Sequence, residues 1–186
     1  MFKVGIIGPE STGKSSLALY LSKRYKGTYV PEYARTYVET RKHTPTPSPN
    51  EGELQRDNQP YVVSWDELCE IAHHQIEEII SYSNLPLEDS QIVFFDTELI
   101  VTKVWFDYAF GRVPEWLNEA IIAYPMDVYL LTYPDIDWQQ DGARYNGSDA
   151  MRKELFDRYE QEIQALNIPY YIITHKGTSM CESVKQ

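Results

Sequence analysis

The sequence predicts one α/β domain, a parallel β-sheet with helices on both faces. Three observations carry that expectation. Short apolar strands alternate with helical segments along the chain, an order that implies parallel βαβ units with right-handed crossovers. Gly8-Pro9-Glu10-Ser11-Thr12-Gly13-Lys14-Ser15 fits G-x-x-x-x-G-K-[ST] at every fixed position, with a strand before it and a helix after it. Gln91-Ile92-Val93-Phe94-Phe95-Asp96 is an apolar run that ends in an aspartate.

Each element has its own reason. Phe2–Ile7 is short, β-branched and mostly uncharged, the composition of a buried parallel strand. After the loop, Leu17, Tyr20, Leu21 and Tyr25 recur at helical spacing, and Gly27 supplies a stop. Residues 27–30 read as a second strand, and Pro31-Glu32-Tyr33-Ala34-Arg35 begins a turn and a polar helix. From Thr44 to Asn50 every second residue is proline, which forbids helix and central strand alike. That connection is read either as a low-complexity linker or as a lid over substrate. Ser64-Trp65-Asp66-Glu67 is a capping box, and Leu68, Ile71, Ala72, Ile76, Ile79 and Ile80 follow with helical period.

His73 and His74 lie in that helix without an acidic partner at metal-ligand spacing, so they are read as surface or packing residues. Residues 91–96 form the third strand. Residues 97–110 and 114–124 look helical, the latter opening with proline and stacking Trp116, Leu117, Ala120, Ile121 and Tyr124 on one face. Residues 127–131 are the fourth strand. Ser148 can cap the next helix, whose buried face is marked by Met151, Leu155, Tyr159 and Leu166, and Pro169 ends it. Residues 170–173 are the fifth strand, and the stretch from His175 to Gln186 is too short and polar to assign.

Composition limits the function classes. With 186 residues, 42% of them hydrophobic, the chain is long enough for one sizeable core and short for two. Seventeen basic against 28 acidic residues give a net charge of −11, which argues against a nucleic-acid groove. No apolar run approaches membrane-spanning length and the first residues already form a strand, so a cytoplasmic protein without a signal peptide is expected. Cys69 and Cys181 lack metal-ligand spacing and read as a buried thiol and a tail thiol. Nothing in the sequence indicates a homo-oligomer.

The chemistry gathers around the glycine-rich loop. Successive backbone N–H groups and the positive end of the following helix favour a polyanion. Gly8, Glu10, Ser11, Thr12, Gly13, Lys14, Ser15 and Ser16 are therefore the candidate ATP-binding residues. Lys14 would reach the β- and γ-phosphates, and Ser15 would complete the shell of a Mg²⁺ ion. Asp96, at a strand end, would hold the same ion, although such an aspartate can also merely cap the next helix. Glu32 falls at the carboxyl end of a strand, where open α/β sheets bind ligands, with Arg35 close by. Residues 138–152 carry Arg144 between Gly142 and Gly147, followed by Arg152. That composition reads either as a surface loop with solvated arginines, by itself the commoner outcome, or as a mobile lid that delivers an arginine to a transferring phosphoryl group.

Taken in order, the loop, Pro31-Glu32-Tyr33-Ala34-Arg35, Phe95-Asp96-Thr97-Glu98 and Asp141-Gly142-Ala143-Arg144 resemble the ribosylnicotinamide kinase domain of the NadR family, within the P-loop kinases. The likeness runs from Met1 to about Ile173 and includes His74-Gln75, Tyr124-Pro125-Met126-Asp127 and Arg152. It implies the three-layer P-loop NTPase fold with five parallel strands ordered 2-3-1-4-5. It also implies transfer of the ATP γ-phosphoryl group to the 5′-hydroxyl of a nucleoside, giving nicotinamide mononucleotide when the nucleoside is nicotinamide riboside.

The expected roles follow. The loop amides and Lys14 hold the β/γ-phosphates, Ser15 and Asp96 hold Mg²⁺, and Arg144 and Arg152 meet the equatorial oxygens in the transition state. Glu32 accepts the proton of the acceptor hydroxyl or binds its ribose, with Arg35 and Asp96 beside the acceptor. The pattern departs from the family at Pro31 and Glu77, where members carry the two aromatics that sandwich the nicotinamide ring. Another nucleoside, or other aromatics around the ring, would fit that difference. The adenylyltransferase and DNA-binding parts of longer NadR proteins are not matched, so a stand-alone kinase is expected. The rival readings are a nucleotide-dependent switch or weak NTPase acting on a protein or lipid, and a kinase of another small metabolite.

Overall fold

A computed structural model of the protein describes residues 1–42, 63–84, 91–136 and 148–175. Its strands are β1 (Phe2–Ile7), β2 (Thr28–Val30), β3 (Ile92–Asp96), β4 (Val128–Thr132) and β5 (Tyr170–Ile173). Its helices are α1 (Lys14–Tyr25), α2 (Tyr33–Lys42), α3 (Trp65–Ser83), α4 (Leu99–Phe110), α5 (Glu115–Ala123) and α6 (Asp149–Leu166). The sheet has five strands in the order β2-β3-β1-β4-β5, and every neighbouring pair is parallel. All strands therefore release their chains at one edge, and the loops from that edge build the site.

Alternation along each strand divides the core in two. Val4 and Ile6 of β1 and Phe94 of β3 face α1, where Leu17, Ala18 and Leu21 meet them. Ile7, Val93, Phe95, Tyr129 and Leu131 face the opposite way, into the larger cluster made with α3, α4, α5 and α6. Gly5 is needed for that second packing. A Cβ there would stand 2.6 Å from the Tyr129 ring, so glycine lets the phenol cross beneath β1.

Several local expectations are corrected. Tyr20 and Tyr25 do not belong to the buried stripe of α1: they are 64% and 57% exposed, while Ala18 and Ser22 are buried instead. The helical stop is Lys26, which takes the left-handed conformation at φ 52°. Gly27 joins that stop by donating its amide to the Ser22 carbonyl at 2.8 Å, and it must be glycine for a second reason, because a Cβ there would meet the Ile92 carbonyl oxygen at 2.6 Å. The fourth helix begins at Leu99, two residues later than the sequence suggests, because Thr97 turns at φ 74° and Glu98 becomes the cap. Pro114 is the cap of α5 rather than its first residue. The inner face of α6 includes a charge, Arg152, beside Leu155, Phe156, Tyr159 and Ile163, while Met151 is only partly buried. Among the described residues, no helix is long and apolar enough to cross a membrane. The proline-rich stretch 44–50 and most of the lid, including Arg144, lie outside the described residues.

Candidate active site

The phosphate loop is fixed by contacts that leave no spare volume. It leaves β1 at Gly8, whose φ of +147° suits glycine and whose Cβ would lie 2.3 Å from Thr132 Oγ1 and 2.7 Å from the Thr132 carbonyl oxygen. Thr12, fully buried, donates to the Pro9 carbonyl at 2.8 Å and stands 2.6 Å from Thr132 Oγ1. Thr132 in turn donates to the Ile7 carbonyl at 3.2 Å. Two hydroxyls thus tie both ends of the loop to the end of β4. Ser11 and Gly13 take left-handed conformations at φ 57° and 77°, turning the amides between them inward.

The start of α1 differs from the starts of α3, α4 and α6. Those three are capped by the side chains of Ser64, Glu98 and Ser148. Gly13 gives α1 no side-chain cap, and no acidic residue occupies its first turn. A helix start of this composition favours an anion as its partner. Lys14 folds over the loop and donates to the Pro9 carbonyl at 2.8 Å. Ser15 is partly buried beside it, and Ser16 is exposed.

Asp96 ends β3 directly beside Ile6 in the parallel register and is 1% exposed. Its Oδ2 accepts from the Tyr29 hydroxyl at 3.1 Å. Burial first, and the Asp96 carboxylate next, push the Tyr29 pKa up to about 12, so the phenol remains a donor at neutral pH. Asp96 Oδ1 is buried and has no hydrogen-bond partner among the described residues. An orphaned carboxylate oxygen close to the loop, with the Ser15 hydroxyl, is a hard-oxygen donor set that suits Mg²⁺ completed by water and phosphate. The residues present fit that ion. Among the described residues no group of three His, Cys, Asp or Glu side chains could hold a metal by itself.

On the other flank, Glu32 pairs with Arg35 at 3.9 Å, both partly exposed. The buried Tyr159 phenol of α6 senses both Glu32 and Glu10: burial first and then these two carboxylates raise its pKa far above the ordinary range. Glu10 from the loop and Glu32 from the end of β2 thus both act electrostatically on one buried phenol. Stacked rings join α2 to α3 and α3 to α5. Tyr33 of α2 stacks on His74 of α3 with centroids 3.5 Å apart, and His73 stacks on Trp116 of α5 at 4.4 Å. The packing role expected of both histidines is the one they have. Tyr37 donates to Glu70, tying α2 to α3 a second time.

Arg152 is 1% exposed, and its Nη2 donates to the carbonyls of Pro134 and Ile136 at 2.9 and 2.7 Å, just before residues 137–147. Its Nε and Nη1 are buried with no hydrogen-bond partner among the described residues, and Asp149 Oδ1 lies 3.9 Å from Nη2. Three further residues belong to this edge. Thr132, Asp135 and His175 stand at or just beyond the ends of β4 and β5, and their position at carboxyl strand ends was the available signal. His175 is held by Asp135, through its amide at 2.9 Å to Oδ2 and with Nδ1 3.3 Å from Oδ1. A further buried group, Glu98, caps α4 by accepting from the Ile100 amide at 3.0 Å and reaches the Tyr129 hydroxyl.

Comparison with known proteins agrees with this fold. The model of a family described as "AAA domain" matches residues 3–179. The trifunctional NAD biosynthesis/regulator protein NadR of Escherichia coli (strain K12) is 27% identical over 167 residues, 90% of this chain and 37% of that protein. The chain thus spans little more than a third of that relative. Among solved structures, NadR in complex with NR matches with a TM-score of 0.67 at 21% identity, covering 96% of this chain and 46% of the other. Deoxyadenosine kinase from M. mycoides with products dCMP and dCDP matches with a TM-score of 0.57 at 13% identity, covering 95% and 92%. The fold is that of the P-loop kinases, with NadR among the chain's relatives, and the protein belongs to the AAA domain family.

Proposed function

We propose that the protein is an ATP- and Mg²⁺-dependent kinase that transfers the γ-phosphoryl group to the 5′-hydroxyl of a nucleoside, with nicotinamide riboside as the leading acceptor. One observation carries the reading. The uncapped start of α1, the orphaned Asp96 oxygen and the Glu32 carboxylate lie on adjacent loops of one sheet edge, in the order nucleotide tail, metal, acceptor. A switch or NTPase needs the first two and has no use for a carboxylate on the acceptor flank.

The division of labour follows from the chemistry of phosphoryl transfer, which asks for positioning and charge stabilisation rather than covalent catalysis. The amides at residues 11–16 and the Lys14 ammonium align the β- and γ-phosphates. Ser15 and Asp96 would hold Mg²⁺, which when bound neutralises phosphate charge. Glu32, steadied by Arg35, takes the proton from the acceptor hydroxyl or fixes the ribose. Arg152 offers its two remaining donors to the equatorial oxygens, and Arg144 is assigned the same task from the lid.

NadR, whose structure contains NR, supports the choice of nicotinamide riboside, and deoxyadenosine kinase supports a nucleoside acceptor in general. Pro31 and Glu77, in place of the family's aromatics, favour a second reading within the same chemistry, a different nucleoside. The test is ATP consumption with a panel of nucleosides including nicotinamide riboside, with Lys14→Ala as the blank. Stimulation by one nucleoside identifies the acceptor. A flat panel with intact ATP binding would overturn the kinase reading in favour of a switch.

A further inference from the structure

The geometry points to His175, oriented by Asp135, as a residue that contacts the nucleoside end of the bound nucleotide, at the ribose or the α-phosphate. The inference rests on the proposed function, both on nucleotide binding and on an acceptor beside β2 and β3, and goes beyond it, because it adds a contact outside the phosphate loop. It begins from the sheet order. Glu32 and Asp96 follow β2 and β3 on one side of β1, and Thr132, Asp135 and His175 follow β4 and β5 on the other. A γ-phosphoryl group has to face its acceptor, so a triphosphate lying across the loop directs its γ end toward β2 and β3. Its nucleoside end then lies toward β4 and β5.

His175 is built into that side rather than merely near it. Its ring edge reaches the last glycine of the loop: a Cβ on Gly13 would lie 3.1 Å from His175 Nε2 and 3.8 Å from Ile136 Cδ1. The same ring is anchored at the opposite nitrogen. Asp135, only 9% exposed at its side chain, accepts the His175 amide at 2.9 Å and faces Nδ1 at 3.3 Å, while the imidazole remains 42% exposed. A carboxylate beside Nδ1 assigns the hydrogen to that nitrogen. Nε2 is left directed at the loop, able to accept from a ribose hydroxyl when the ring is neutral or to donate to an α-phosphate oxygen when it is charged. In both cases the recognised group is an oxygen at the nucleoside end. A second carboxylate–histidine contact of this kind is not seen among the described residues.

The experiment is calorimetry with the full chain and Mg²⁺, comparing wild type, His175→Ala, His175→Gln and Asp135→Asn. The ligands are ATP, ADP, 2′,3′-dideoxy-ADP and inorganic pyrophosphate. The expected result is that His175→Ala weakens ATP and ADP by a similar factor, about tenfold, while pyrophosphate binding stays within about twofold. Glutamine, which keeps a polar group near the ring edge, recovers part of the loss, and Asp135→Asn loses part of it. A penalty that persists with dideoxy-ADP places the contact on the α-phosphate, and one that vanishes places it on the ribose. Equal weakening of pyrophosphate, or unchanged ADP binding in His175→Ala, would overturn the inference while leaving the kinase reading intact. Absence of nucleotide binding in the wild type would overturn both. If His175→Ala does not fold, the imidazole resonances of the wild type decide: a shift on adding ADP and none with pyrophosphate is expected, and the reverse sinks the idea.

Discussion

The two flanks of the phosphate loop are made of different materials. Toward β4 the loop touches backbone and small hydroxyls: Gly8 lies against the Thr132 main chain, and Thr12 against the Thr132 side chain. Beyond β2 the chain continues into Tyr33 of α2, whose ring stacks on His74 of α3, and His73 of α3 stacks on Trp116 of α5. The first flank has no room for an added methyl group, whereas the second is made of side chains that can be exchanged one at a time. The difference matches the two ligands expected there. A polyphosphate tail is the same for every nucleotide and suits a rigid receptor, while an acceptor ring differs from one nucleoside to the next and suits a receptor that substitution can retune.

The largest expected effect falls where the flanks meet, at Asp96. Asp96→Asn keeps the shape and can still accept from Tyr29, but it removes the charge of the orphaned oxygen. It should lower kcat by about 10²–10³-fold at saturating ATP, with the melting temperature nearly unchanged. A variant with unaltered turnover would show that the metal is held elsewhere. Next comes the rigid flank. Gly8→Ala places a methyl group inside the Thr132 backbone and at a φ hostile to any side chain, so a loss of about 3 kcal/mol of stability together with nucleotide binding is expected. Gly111→Ala is the control. That glycine also has positive φ, +64°, but nothing lies within 4 Å, so only the conformational penalty of about 1 kcal/mol should appear, with nucleotide affinity intact.

These two flanks were unequally legible in the sequence. The loop and Asp96 could be read because phosphate chemistry needs consecutive amides, and consecutive amides are written as consecutive residues. The alternation of elements sufficed for a parallel sheet, and the resemblance to a known family supplied its strand order. Thr132 could not be read in the same way: its partner Thr12 is 120 positions away, and a threonine at the end of an apolar strand looks like any β-former. Tyr33, His74 and Trp116 were hidden for a related reason. Each reads locally as a helix residue at helical spacing, and only the docking of α2, α3 and α5 brings the rings face to face. Arg152 was legible as a cation near the lid, but not as a buried one, because the apolar period of α6 runs through it without a break.

One buried pair crosses from flank to flank. Glu98, at the start of α4, meets Tyr129 of β4, and burial pushes the Glu98 carboxyl up to about 7 from its ordinary 4.5, against the pull of its hydrogen bonds. The folded protein therefore holds this proton more tightly than the unfolded chain does. Its stabilising contribution is complete below pH 4.5 and is lost as pH rises through about 7. In metal-free buffer the wild type should lose up to about 3 kcal/mol across that window from this group, and Glu98→Gln should show a flatter profile. Parallel profiles for the two proteins would mean that the pair is not the link between the flanks.

The smallest effect is expected on the exchangeable flank, and it tests the comparison most directly. Tyr33 contributes one stacked face to His74 and one tilted contact to Tyr37, at 6.0 Å between centroids. Removing the ring in Tyr33→Ala forfeits a stacking interaction of about 1 kcal/mol, so acceptor KM should rise about fivefold. Nucleotide affinity should not change, because Tyr33 touches none of the loop contacts that fix Gly8 and Thr12. Tyr33→Phe keeps the ring and should restore KM, which separates stacking from the phenol's polarity. If Tyr33→Ala instead weakened ATP binding as much as Gly8→Ala, the two flanks would be one cooperative unit. The division between a fixed nucleotide receptor and a tunable acceptor receptor would then fail, even for an enzyme whose turnover depended on both.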